Sequence, residues 1–82
     1  MERFPALRLA REALDAGDAA PTILNAANEI GVRRFLDGEI GFLDISRLVE
    51  KTLEKIDNKP INTLADVIDM DEQSRRTAEQ LT

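Results

Sequence analysis

Eighty-two residues make one small domain, and a chain this short buries only about 60–65% of the surface it exposes when unfolded. Eleven Lys and Arg against sixteen Asp and Glu leave a net charge of −5, which argues against binding a polyanion such as DNA or an acidic membrane. The sequence has no Cys and no His, which excludes disulfides, thiol catalysis and Cys-ligated metal sites and removes the side chain most used for proton transfer near neutral pH.

The first helical pattern runs from Pro5 to Ala16. Proline is tolerated in a first turn, where its missing N–H would have no partner. Phe4, Leu7, Ala10 and Leu14 fall on one stripe and are the expected buried face. Arg8–Glu12 and Arg11–Asp15 are opposite charges four residues apart on the other side. Gly17 can take the left-handed conformation that closes the helix.

A second helix is predicted from Pro21 to Leu36, ended by Gly38. Its apolar residues (Ile23, Leu24, Ala26, Ala27, Ile30, Val32, Phe35 and Leu36) spread around much of the circumference, as in a central helix wrapped by neighbours. Gly31 inside it costs about 1 kcal/mol relative to Ala, which points to a close backbone contact there.

The third helix has the cleanest pattern. Ile45, Leu48, Val49, Leu53 and Ile56 share one face, and Leu48, Val49 and Leu53 are expected at the core facing Ile30. Asp44 is the expected N-cap. Asp57-Asn58-Lys59-Pro60 breaks the helix. Thr63 with Asp66 forms a capping-box signal, and Asp69 with Glu72 repeats it before a last helix to Leu81. That helix has a thin apolar face (Met70, Ala78, Leu81) and should fray unless docked. The fold class expected is all-α, a small bundle of four to five short helices.

Candidate chemistry is sparse. Asp66, Asp69, Asp71 and Glu72 lack the glycine turn and the spaced bidentate acid of a calcium loop, so they read as helix caps and a solvated face rather than a metal site. Asn25-Ala26-Ala27-Asn28-Glu29 is the most unusual stretch, because two Asn inside a helix carry a propensity cost. Asn25, Asn28 and Glu29 share one side of the helix. With no His or metal ligand beside Glu29, they read as a buried structural polar cluster that ties neighbouring backbone to a central helix, in preference to a catalytic one. Arg33-Arg34 is an anion-site candidate, but Arg33 is placed to pair with Glu29 or Asp37. The glycines stand singly, so no phosphate-binding loop is formed. A helix-turn-helix between the second and third helices would place Glu50 and Glu54 on its recognition helix, which disfavours nucleic acid. No apolar run approaches a membrane span or a signal-peptide core, so a soluble, cytoplasmic chain is expected.

Several segments in order resemble one family. These are Phe4-Pro5-Ala6-Leu7-Arg8-Leu9-Ala10, Ala20-Pro21-Thr22, Leu24-Asn25-Ala26-Ala27-Asn28-Glu29, Phe35-Leu36-Asp37-Gly38 and Ile40-Gly41-Phe42-Leu43-Asp44-Ile45. They are similar to the C-terminal region of 1-deoxy-D-xylulose 5-phosphate reductoisomerases, with the likeness weakening after Pro60. Gly31 and Arg33-Arg34 depart from the family's small apolar residues, and Leu43 replaces its usual Thr.

The resemblance implies a domain, residues 1–82, of an enzyme that uses NADPH and magnesium or manganese to make 2-C-methyl-D-erythritol 4-phosphate, in isoprenoid precursor synthesis by the methylerythritol phosphate pathway. It implies a left-handed superhelical bundle and a homodimeric parent with separate nucleotide-binding and catalytic domains, which are absent here. The family's metal-binding and phosphosugar-binding residues lie upstream of the matched region, so no catalytic, cofactor-binding or metal residue is carried over. The isolated chain is expected to be inactive, and Met1 directly before the matched segment suggests an excised domain or a truncated gene. The alternative from another class is a free-standing acidic helical protein-interaction module.

Overall fold

The computed structural model describes residues 5–81, with side chains from residue 11 onward. Four helices follow in order: α1 (Pro5–Ala16), α2 (Ala20–Leu36), α3 (Phe42–Lys55) and α4 (Leu64–Gln80). No strand occurs among the described residues, in keeping with the all-α expectation. Helix α2 is the centre, packing against each of the other three.

Gly17 closes α1 at φ +67°, and Asp18 follows at φ +50°, a left-handed position that Asp tolerates better than most residues. The expected apolar stripe of α1 needs correction. Phe4 lies outside the described residues, as do the side chains of Leu7, Ala10 and Arg8, but Leu14 is 72% exposed. Ala13 is buried in its place and lines a cleft with Ala20, Ile23, Leu53 and Ile56. A methyl side chain there lets α1 approach α2 closely just before the turn.

Helix α2 starts without a cap of its own, because Ala19 stands at the N-cap. The missing acceptor comes from far along the chain: Asn58 Oδ1 accepts from the N–H groups of Ala19 at 2.8 Å and Ala20 at 2.9 Å. The segment after α3 therefore both ends that helix and satisfies the start of another.

Helix α3 begins two residues before Asp44, which is a second correction. Gly41 is the N-cap. Its N–H donates to Asp44 Oδ2 at 2.9 Å, and the Asp44 N–H donates back to the Gly41 carbonyl at 3.1 Å. Asp44 thus acts from the third helical position, as the acid of a capping box does.

Ile45, Leu48 and Val49 are buried on the expected face, with Ile56 just after the helix. Leu53 is only partly buried, bridging two clusters: Ala27, Ile30, Leu48, Val49 and Ala78 on one side, Ala19, Ile23, Ile56 and Met70 on the other. Thr52 is fully buried among them, a polar residue that the apolar stripe does not include. Its hydroxyl donates to the Leu48 carbonyl at 2.7 Å, and Ser74 does the same to Met70, so neither needs a partner from another helix. Gly31 makes the close contact expected of it: a Cβ there would lie 3.0 Å from Ile45 Cγ2.

Helix α4 is one helix where the repeated capping signal suggested two segments. Thr63 Oγ1 accepts from the Asp66 N–H at 3.2 Å, and Asp66 Oδ2 accepts from the N–H groups of Asn62 and Thr63. Asp69 then sits inside the helix, since no breaker separates it from the box. The thin C-terminal face is docked: Ala78 is fully buried and Leu81 packs on the first cluster.

Candidate functional site

Helix α2 carries the residues the sequence singles out, and its surroundings decide what they do. Asn25 and Asn28 are exposed, contrary to the expectation of burial. Among the described residues neither amide has a hydrogen-bond partner. The reason is geometric. Three neighbours cover α2, and the side bearing both Asn residues is the one left open.

Glu29 does find a partner, on α4. Arg75 Nη2 donates to Glu29 Oε2, and Arg75 Nε donates to Asp71 Oδ2 at 2.8 Å. The carboxylates of Asp71 and Glu29 hold the Arg75 guanidinium above its ordinary pKa. One turn further on, Arg33 Nη2 meets Glu79 Oε1 at 2.7 Å, and Arg34 Nη2 donates to the Glu79 carbonyl at 2.6 Å. The hydrogen bond with Arg33 lowers the Glu79 pKa and raises that of Arg33. Arg33 therefore pairs across to α4, where the sequence suggested Glu29 or Asp37 on its own helix. Both arginines are engaged, so the anion-site candidate is taken up by the α2–α4 contact.

At 100° per residue, Pro21, Asn25, Asn28, Val32 and Leu36 fall within a stripe about 80° wide. Val32 is 38% exposed and Leu36 75%. Past Leu36 the exposed surface continues to Phe42 and Leu43, with Phe35 and Phe42 packed edge to face at 5.7 Å. At the other end, Pro21, Thr22 and Asn25 line a shallow groove of about 430 Å³ shared with Val67, Ile68 and Glu72 of α4.

This stripe offers apolar contact and amide hydrogen bonds. It holds no acid–base pair, since its neighbouring Glu29 is committed to Arg75.

The described residues do not fit a metal or a nucleotide. Among the described residues no group of three or more Asp, Glu, His or Cys side chains converges to hold an ion. Of the acids weighed for that role, Asp66 caps α4, with the N–H groups of Asn62 and Thr63 holding its carboxyl below the usual range, and Asp71 pairs with Arg75. Gly17 and Gly38 occupy turns, Gly31 meets Ile45 and Gly41 starts α3, so no glycine cradle forms. For three polar residues that hold the helices together (Asn58, Arg75 and Glu79) the sequence gives no signal of the contact between elements, because the partners there lie 38 or more residues away.

The family described as the DXP reductoisomerase C-terminal domain matches residues 1–77. The chain is 56% identical over 79 residues to the 1-deoxy-D-xylulose 5-phosphate reductoisomerase of Rhodospirillum centenum, covering 96% of this chain and 20% of that protein. It is 52% identical over 81 residues to that of Chlorobaculum tepidum, covering 99% of this chain and 21% of the relative. The solved Zymomonas mobilis reductoisomerase in complex with NADPH superposes with a TM-score of 0.93 at 49% identity, over 96% of this chain and 21% of that one. The chain thus spans about a fifth of the length of the relatives it matches.

Proposed function

The chain belongs to the DXP reductoisomerase family, matching its C-terminal domain, and from that membership we propose that it is a non-catalytic structural domain of an NADPH- and metal-dependent reductoisomerase. The observation that carries this is the near-complete match of the whole bundle to one fifth of a much longer enzyme. Residues 1–82 form the helical domain, and the nucleotide-binding and catalytic domains belong to the remainder of the polypeptide. When bound there, NADPH supplies a hydride and the divalent ion polarises the phosphosugar substrate. The residues of this chain hold neither group. Their work is to keep four helices in one arrangement, through the Leu48–Ile30 core, the Asn58 cap and the Arg75 and Arg33 bridges. The parent enzyme is then a cytoplasmic homodimer serving isoprenoid precursor synthesis.

The test compares the 82-residue chain with a full-length reductoisomerase carrying this sequence as its C-terminal domain. NADPH oxidation dependent on 1-deoxy-D-xylulose 5-phosphate is expected from the second and not from the first. Turnover by the 82-residue chain alone, or an inert full-length protein that is folded, contradicts the assignment.

A further inference from the structure

The internal packing of the domain leaves the open stripe of α2 unused. A central helix is apolar on most sides because neighbours cover it. Here one side is left uncovered along most of its length, yet it presents Leu36 and part of Val32 to solvent. Between these and the groove at Ile68 stand Asn25 and Asn28, two amides that weaken the helix and bond to nothing among the described residues. Apolar ends around an unpaired polar middle make a surface built to be covered, since each amide can donate and accept once water is excluded.

We propose that this stripe of α2 (Asn25, Asn28, Val32 and Leu36, with Ile68 across the groove) is the face on which the rest of the reductoisomerase polypeptide docks. This rests on the functional reading above. The occupant follows from length and charge. About four fifths of each relative lies outside the matched segment, and the matched family is a C-terminal domain, so that polypeptide is tethered beside this one. A second copy is the poorer fit. The chain carries −5, and the exposed carboxylates of Glu72 and Asp37 lie at opposite ends of the stripe, so self-pairing sets like charges together. A covering surface of the right chemistry has apolar side chains at two ends, backbone N–H and C=O groups between them, and basic residues at its rim.

The experiment is a reversal of sign between two settings. Asn25→Ala with Asn28→Ala replaces two poor helix formers by the best one, so the melting temperature of the 82-residue chain is expected to hold or rise. In a full-length reductoisomerase carrying this sequence, the same double variant is expected to lower it, because the docked partner groups lose their hydrogen bonds. Leu36→Glu is expected to leave the 82-residue chain unchanged and to lower the full-length protein too. Holding or rising in both settings for the Asn variant overturns the proposal. So does loss in the full-length protein from Leu14→Glu on α1 with none from the stripe, which places the docking face elsewhere. A dimer of the 82-residue chain that Leu36→Glu dissociates makes a second copy the occupant and overturns it as well. If the full-length protein shows the reversal but no turnover, the docking face stands and the assigned activity falls.

Discussion

Helices α2 and α3 pack against each other, yet their sequences tell opposite stories. In α3 the apolar residues recur on one stripe, and that stripe is what is buried: Ile45, Leu48 and Val49 inside, Lys51 and Glu54 in solvent. In α2 apolar residues occur nearly all round, and Ile23, Ala26, Ala27 and Ile30 are buried while the side carrying Asn25, Asn28, Val32 and Leu36 is not. A helix whose neighbours all lie along one polar-bounded stripe announces its face by contrast between polar and apolar. A helix that also carries apolar residues on its uncovered side has little contrast left, and only its few polar residues mark the side that stays open. Asn25 and Asn28 are that mark.

The contrast is broken most severely at the shared core. Leu48→Ala, which removes a 2% exposed side chain from between α2 and α3, is expected to cost about 2–5 kcal/mol in a urea titration. The partly buried Leu53 should cost less when truncated in the same way, whereas the helical pattern taken alone gives the two residues equal weight. Next is the backbone approach of the two helices. Gly31→Val places branched methyls where a Cβ already meets Ile45 at 3.0 Å, and is expected to destabilise by about 1–3 kcal/mol despite the better helix former.

A smaller effect belongs to the start of α2. Asn58→Ala leaves two N–H groups without their acceptor and is expected to cost about 1 kcal/mol by thermal or chemical melting. The α2–α4 side and the α4 cap are sharpened by pH. Glu79 and Asp66 both have folded pKa values below their unfolded ones, held down by Arg33 and by the N–H groups of Asn62 and Thr63 respectively. Their contribution is complete above the unfolded carboxylate range and is lost as the pH falls through the folded values. The midpoint of unfolding should therefore decline below about pH 4, and Glu79→Gln should flatten that decline slightly.

The fold was largely legible because local rules set most of it. Pro5, Gly17 and Gly38 bound their helices, the Thr63–Asp66 box opens α4, and Gly31 touches Ile45 as its helix position implied. Structure and sequence part where a local signal has a competitor. Asp44 was the obvious cap for α3, but a carboxylate at the third position reaches back equally well to the Gly41 N–H. Asp69 and Glu72 copy the capping pattern with no helix break to use it.

The polar site was the least legible part. Arg33 has acids four residues away on its own helix, yet the geometry of α4 offers Glu79 in a direct contact. The two Asn residues were expected to be buried anchors because their propensity cost wants a return. Sequence spacing says which residues share a side of α2, but not which side its neighbours leave uncovered.

Ala27 and Asn28, adjacent in the chain, lie on opposite sides of the boundary between covered and open α2: Ala27 is fully buried and Asn28 exposed. The chain has no Cys, so a single introduced thiol is an unambiguous reporter. Ala27→Cys and Asn28→Cys in the 82-residue chain, labelled with a thiol reagent under native conditions, measure it directly. Cys at position 28 is expected to react as fast as in an unfolded peptide, and Cys at position 27 at least ~100-fold more slowly, through transient unfolding alone. Equal rates at the two positions, or protection at 28, would contradict the account.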